Sequence, residues 1–437
     1  MPSVKSAVSA AIDAIGGVSR IGEDPDSLIL FNAAFSVCSE KCRTVIRETG
    51  FSHTNVNVDL TTMINYDPRY VALRLMAWDH AMPLAGEIAG WTGSSSMAKT
   101  GFDPCVVPLL VDMKANGGEG MVIVDSAVIC NYLVRLAGGA LMPTEPRQLA
   151  LVQKHIALVD DAPHPALLYD ALPAKDLRPA YLKHLTAGGG LHLQQIRKLK
   201  NYLSQEGKTW DDPLLKRAYE AKLKKTEDAL RATQSMEGGD SSYIEGSFQK
   251  MREYLQTLEA DLKASSGEWL CGDKITLADV FEGCSLYRLM FLGCAFLYED
   301  LPIVVRYSGR LFSRPSLLRA VILNRDTMPS KHVAPFYAEH EGWLSGVLHC
   351  RKEDLINVMT NPATPYAAAG AALLAVTYRR DLKQDSLLAH GEKESSAPQL
   401  RREAQSGQEQ IVFHEQVAIA ARRKLRCPDD VSDLPGR

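Results

Sequence analysis

The chain has 437 residues, a formal charge of −3, 46% hydrophobic residues and 23% charged residues. Those proportions describe a soluble globular protein of two or three domains, and the charge gives no reason to expect nucleic acid as a partner. Nine cysteines, odd in number and irregular in spacing, point to reduced thiols rather than a disulfide framework. The apolar run Tyr366–Tyr378 is well short of the ~20 residues that a membrane span needs, so no membrane partner and a cytoplasmic location are expected.

Residues 1–26 read as a flexible leader. "LILFNA" (28–33) is a strand candidate, and "SEKCRTVIRETG" a helix, with Ser39 able to cap it and Gly50 to end it. "HTNVNVDL" (53–60) alternates as a strand does, and "YVALRLMAW" (70–78) makes a short helix. A polar Gly/Ser stretch, "GWTGSSSMAKTGFDP", reads as a loop. "VVPLLVD" (106–112) and "MVIVD" (121–125) read as a hairpin, and "SAVICNYLVRLAGG" (126–139) as a helix. Strand, helix, strand, helix, strand, strand, helix is the order of a thioredoxin-like unit, here over 27–140. Helix signals dominate 146–330, in "PRQLALVQKHIALVDDAPHPALLYDAL", "SFQKMREYLQTLEADLKASSG", "TLADVFEGCSLYRLMFLG" and a last helix, "RLFSRPSLLRAVI". Basic clusters at 197–200 and 222–225 lie among acids and leucines and read as solvated helix faces. Residues 331–437 form a tail without clear organisation, partly disordered by composition.

Three places carry chemistry. Cys38, in "FSVCSEKCR", stands at the first turn of a helix, where the unpaired N–H groups and the dipole favour a thiolate. Lys41 and Arg43 push the same way, and Ser36 can donate to a sulfur anion. A small buried core residue is the competing reading for Cys38. Cys42 follows after three residues, so the pair is no CxxC dithiol, and Cys42 should point inward. Val107-Pro108 opens an apolar strand run. A cis proline there leaves the N–H and C=O of Val107 able to pair with a peptide ligand. Asp125-Ser126 puts a carboxylate and a hydroxyl at a helix start, either as a carboxylate- and ammonium-binding pair or as a plain cap. His332, His340, His349 and Cys350 lack metal-ligand spacing, so no metal is expected, and no phosphate loop or dinucleotide fingerprint is present.

Taken in order, these parts resemble the glutathione site of the glutathione S-transferase superfamily, and "WLCGDKITLADV" (269–280) resembles that superfamily's folding cap on the helical side. More narrowly, "FSVCSEKCR", "YVALRL", "WTGSSS", "GFDPCVVPLLVD", "DSAVICNYL", "PHPALLY" and "GDKITLADVFEGCSLYRLMFLG" resemble the reductive dehalogenases of chlorinated hydroquinones, from about Phe31 to Ile322. Glu282-Gly283 stands where that resemblance implies a bulkier pair, a change that would fall on the substrate pocket. The resemblance implies an α+β thioredoxin-like domain followed by an all-α domain, with glutathione as co-substrate. It implies the γ-glutamyl end on Asp125 and Ser126 and the cysteine main chain on Val107 and Pro108. It further implies Cys38 as the residue that attacks a glutathionyl adduct, with Ser36 orienting a sulfur anion. Arg288 is the candidate for a phenolate, with Tyr169 and His164 as further substrate contacts. The implied substrate is a ring like 2,5-dichlorohydroquinone, and a homodimer is compatible with the resemblance. Another glutathione enzyme (a cis–trans isomerase or a glutathionyl-hydroquinone reductase) and a non-catalytic binding protein of the same fold stay open.

Overall fold

The computed structural model describes residues 3–77, 102–169, 189–205, 212–237, 242–292 and 294–322, all within the unit Met1–Glu339. The loop expected before the Val-Pro strand lies mostly outside these residues, and the tail 331–437 wholly outside them.

The sheet begins with β2, Leu28–Asn32, buried at every position. It pairs in parallel with β3, His53–Asn57, and antiparallel with β4, Leu109–Asp112. β4 in turn pairs antiparallel with β5, Met121–Val124. The crossover from β2 to β3 is α2, Val37–Thr49, which ends on Gly50 at φ 74, a left-handed cap that glycine adopts without steric penalty. After β5 the chain enters α4, Ser126–Leu136, which packs beside α2. Alternation places Ile29, Phe31, Leu109, Val111, Val122 and Val124 on one face of the sheet, in a core shared with Tyr70 and Leu73 of α3, Pro68–Leu75. These strands and helices form the thioredoxin-like half.

The leader is not mobile, contrary to the sequence expectation. Val4–Ile15 forms α1, capped by Ser3, whose side chain accepts from the Ser6 N–H. Val4, Ala7, Val8 and Ala11 recur at i, i+3, i+4 and i+7 and are buried in the core against α3. Val18–Ile21 is β1, an antiparallel edge strand on β3, so the sheet runs β1-β3-β2-β4-β5. The small side chains of this segment conceal a narrow apolar stripe, and that stripe suffices once the sheet offers it a surface.

The helical half packs through α5, Pro146–Asp161, and α10, Leu277–Phe291, which touch each other, with α10 also touching α2. α10 is buried almost all round. Its start is fixed by Asp279, which accepts from the Thr276 N–H and hydroxyl (both 2.7 Å), the Leu270 N–H (2.9 Å) and the Tyr307 hydroxyl (2.6 Å). Two expected helices are broken at prolines, which cannot continue the ladder. α5 ends before Pro163 and α6, His164–Tyr169, follows. "RLFSRPSLLRAVI" divides into the end of α11, Pro302–Ser313, and α12, Pro315–Leu317, with a π turn over Leu318–Ile322. Gly283 also has a packing role. A Cβ there would stand 2.6 Å from Leu317 Cδ2, so its smallness serves the contact of α10 with α12.

Candidate active site

The register of the sheet brings the three chemical segments to one end of its strands. β4 and β2 are antiparallel with Leu109 opposite Phe31, so Val107 and Pro108 lie beside the chain leaving β2 toward Cys38. β5 ends with Val124 opposite Leu109, which sets Asp125 and Ser126 next to the same proline. The Val107-Pro108 peptide is cis. Tyr70 donates to the Val106 C=O (2.8 Å) and Arg74 to the Pro108 C=O (2.8 Å). The N–H and C=O of Val107 make no hydrogen bond to any described residue.

Cys38 is the second residue of α2 and half-buried. The Ser126 side chain lies close enough to its sulfur to lower its pKa. Burial pushes the thiol above its ordinary value, and the Lys41 cation and the Ser126 side chain oppose that shift without cancelling it. The direction of this shift runs against the thiolate that the helix start and the nearby cations favour. Loss of water is the largest influence on it, and the Asp160 and Asp125 carboxylates add to the rise.

The neighbouring charges divide their work. Lys41 is buried and pairs with Asp160 of α5 at 2.8 Å, with its ammonium 4.3 Å from the centre of the Phe281 ring. Burial disfavours its charge, but Asp160 outweighs that and holds it above the ordinary lysine value. Arg43 does not serve Cys38. It donates to Asn32 Oδ1 and to the carbonyls of Ala33, Ala34 and Ala320, tying α2 to the end of β2 and to the last helical turn. Burial lowers its pKa to about 10, against the pull of Glu40.

Ser36 is the N-cap of α2 and accepts from the Ser39 N–H (3.3 Å). Ser39, expected as the cap, instead accepts from the Ala33 N–H (3.2 Å). Asp125 adopts φ 74, uncommon for a residue with a Cβ, and its Oδ1 accepts from the Ala127 and Val128 N–H groups. Ser126 opens the same helix and lies close enough to the Cys38 sulfur to influence it. Cys42 points inward, with its sulfur 3.8 Å from that of Cys130 and 3.9 Å from the Ser126 C=O.

Arg288 is buried and donates to the Phe35 C=O at 2.5 Å, bracing the turn that carries Ser36 and Cys38. Its Nε and Glu40 Oε2 have no hydrogen-bond partner among the described residues. Glu40 is pushed upward by burial and held back chiefly by Arg288 and Arg43. His164 is buried, with Nε2 3.1 Å from Ser285 Oγ. Tyr169 closes α6, and its side chain lies outside the described residues. Asp160 was not among the residues singled out from sequence, because nothing local links it to a lysine 119 positions earlier. No group of residues among those described forms a metal site, and no described helix is long and apolar enough to cross a membrane.

The profile of the glutathione S-transferase C-terminal domain matches residues 218–315. The 2,5-dichlorohydroquinone reductive dechlorinase of Sphingobium indicum is 37% identical over 312 residues, covering 70% of this chain and 85% of that protein. Human ganglioside-induced differentiation-associated protein 1-like 1 is 27% identical over 293 residues, covering 63% of this chain and 67% of that protein. Among solved structures, the β-etherase LigF of a Sphingobium strain aligns with a TM-score of 0.41 and 16% identity over 68% of this chain and 98% of its own.

Proposed function

Because the chain belongs to the glutathione S-transferase superfamily, in the group of the hydroquinone reductive dechlorinases, we propose that it removes chloride reductively from a chlorinated hydroquinone, with glutathione as the reductant. The observation that carries the reading is the meeting of Cys38, Ser126 and Lys41 near Val107 at one end of the sheet's strands. Val107 offers an N–H and a C=O without described partners to the cysteine main chain of glutathione. Asp125 and Ser126 receive its γ-glutamyl end, with the helix start of α4 behind them. Arg288 and Lys41 stabilise the phenolate of the ring.

The glutathione thiolate forms a C–S bond to the tautomerised ring as the C–Cl bond breaks. Cys38 then attacks the sulfur of that adduct. A Cys38–glutathione disulfide forms, the C–S bond breaks, and the ring carbon takes a proton. Cys38 attacks as the thiolate, and the proton it gives up balances the one that the ring gains. A second glutathione exchanges with the disulfide, so two thiols supply the two electrons. A reducing compartment such as the cytoplasm suits the chemistry and the seven free described cysteines.

The test is chloride release from 2,5-dichlorohydroquinone in the presence of glutathione. With Cys38→Ser, chloride should still appear while a glutathionyl-ring adduct accumulates in the mass spectrum. Release of free hydroquinone by that variant at the unaltered rate would remove Cys38 from the reaction.

A further inference from the structure

An unbroken line of buried polar side chains crosses the helical half and ends near the site. At its outer end Asp261 of α9, Ser242–Ala264, pairs with Lys154 (2.5 Å) and keeps 22% of its side chain exposed. The same Asp261 oxygen lies 2.9 Å from His155 Nε2, and His155 Nδ1 lies 2.7 Å from Glu282 Oε1. The other Glu282 oxygen accepts from the Tyr254 hydroxyl. Tyr254 Oη lies 3.2 Å from Ser285 Oγ, and Ser285 Oγ lies 3.1 Å from His164 Nε2. His155, Glu282 and Ser285 are 0% exposed, Tyr254 5% and His164 8%. Packing apolar side chains into such a core is often as stabilising as a buried ionic network, so stability alone does not account for this line.

Its direction follows from proton counting. Burial works against a charged His155, but Glu282 and Asp261 outweigh it and raise its pKa. Glu282 Oε1 faces His155 Nδ1, and its Oε2 accepts the Tyr254 hydroxyl proton. Tyr254 therefore commits its one proton to Glu282 and can only accept from Ser285. Ser285, its proton given to Tyr254, can only accept from His164. His164 must then carry its proton on Nε2, which leaves Nδ1 as a bare lone pair. That atom has no hydrogen-bond partner among the described residues. Burial, then the Arg288 and Lys41 cations, lower the pKa of His164 to about 3, so its ring is neutral and within electrostatic reach of the two cations by Cys38.

We propose that His164 Nδ1 is the base that takes the hydroxyl proton of the bound phenol, and that Ser285, Tyr254 and Glu282 carry a proton onward, away from the site. This rests on the chlorohydroquinone reading above. The phenol O–H bond breaks and an Nδ1–H bond forms. The Nε2 proton passes to Ser285, the Ser285 proton to Tyr254 and the Tyr254 proton to Glu282. No electrons change hands. One negative charge moves from Glu282 to the phenolate, where Arg288 and Lys41 receive it. His164 is the catalytic residue, and Ser285, Tyr254 and Glu282 are positioning residues that act through it. Glu282 thus acquires a use that its place in an apolar helix did not suggest.

Two measurements on the full chain test this. In the nitrogen NMR spectrum of histidine-labelled protein at neutral pH, His164 should be neutral with its proton on Nε2. A proton on Nδ1, or an imidazolium, would overturn the relay. The second measurement is chloride release by Tyr254→Phe, which removes one oxygen, and by His164→Gln, which keeps a donor toward Ser285 but no base. Each should slow turnover of 2,5-dichlorohydroquinone by on the order of 10²-fold, a usual general-base contribution, with glutathione affinity unchanged. The loss should be smaller for tetrachlorohydroquinone, whose more acidic hydroxyl is already ionised in solution and needs the base less. Equal losses on both rings, or an unaltered rate in Tyr254→Phe, would overturn the proposal. Should the unaltered protein release chloride from neither ring, the substrate assignment falls, and the nitrogen spectrum then upholds or overturns the relay by itself.

Discussion

Lys41→Met is the substitution with the most to say about the site. The ammonium sits 2.8 Å from the Asp160 carboxylate, and the two side chains are 3% and 6% exposed. At an effective dielectric constant of ~20 that separation gives about 6 kcal/mol of direct attraction, part of which is offset by desolvation of the two ions. Removing one partner of such a pair costs about 3–5 kcal/mol, because the other charge stays buried. For a chain of this size the melting temperature should fall by about 3–5 °C. The thiol is affected in the same direction twice. Lys41 lowers the pKa of Cys38 and Asp160 raises it, so losing the lysine removes the one and leaves the other. The assay is alkylation of the Cys38 peptide by iodoacetamide, followed by mass spectrometry across a pH series. In the unaltered chain the rate should climb at a pH above that of an ordinary thiol, since burial raises this group. In Lys41→Met the climb should move to higher pH still. Lys41→Met combined with Asp160→Leu should regain most of the stability and bring the climb part of the way back. The sign for stability is consistent with this. A thiol raised in the folded state contributes stability below its unfolded pKa, and that contribution is lost as the pH rises through the folded value. A single variant with the unaltered melting temperature and the unaltered alkylation profile would refute the account of Lys41 given above.

Ser126→Ala should weaken glutathione binding roughly tenfold or more, the loss of about 1.5–3 kcal/mol for a hydrogen bond to a charged group, and should shift Cys38 alkylation to higher pH. Titration calorimetry with unchanged affinity would remove Ser126 from the glutathione site. Gly283→Ala should destabilise by about 1 kcal/mol in urea, the lower end of overpacking, since the atom it meets is the tip of a buried leucine side chain. Its KM for the ring should stay unchanged, and a changed KM would return Gly283 to the substrate pocket.

Much of the thioredoxin-like half was legible from local pattern. The apolar run of β2, the alternation of β3, the Gly50 cap and the Asp125-Ser126 helix start each depend on bonds within a few residues, and residue types record such bonds directly. Even so, Ser36 and not Ser39 took the cap of α2, because Ser39 found the Ala33 N–H instead. The stripe Val4, Ala7, Val8 and Ala11 was present in the sequence, but side chains so small bury too little area to announce a helix until the sheet lies beneath them.

What residue order alone determined was which chemical groups exist and where each helix or strand begins. Cys38 near a helix start, a proline opening β4 and a hydroxyl opening α4 are readable without coordinates. Tertiary structure decided what those groups meet. Arg43, which counts in sequence as a cation near Cys38, turned to four main-chain and amide oxygens. Lys41 found Asp160 at 119 positions' distance, and Glu282 found His155 at 127. The thiol rose instead of falling for the same reason. Helix position and nearby charge are properties of local sequence, but desolvation depends on how many distant side chains close over a site, and only the packed fold sets that number.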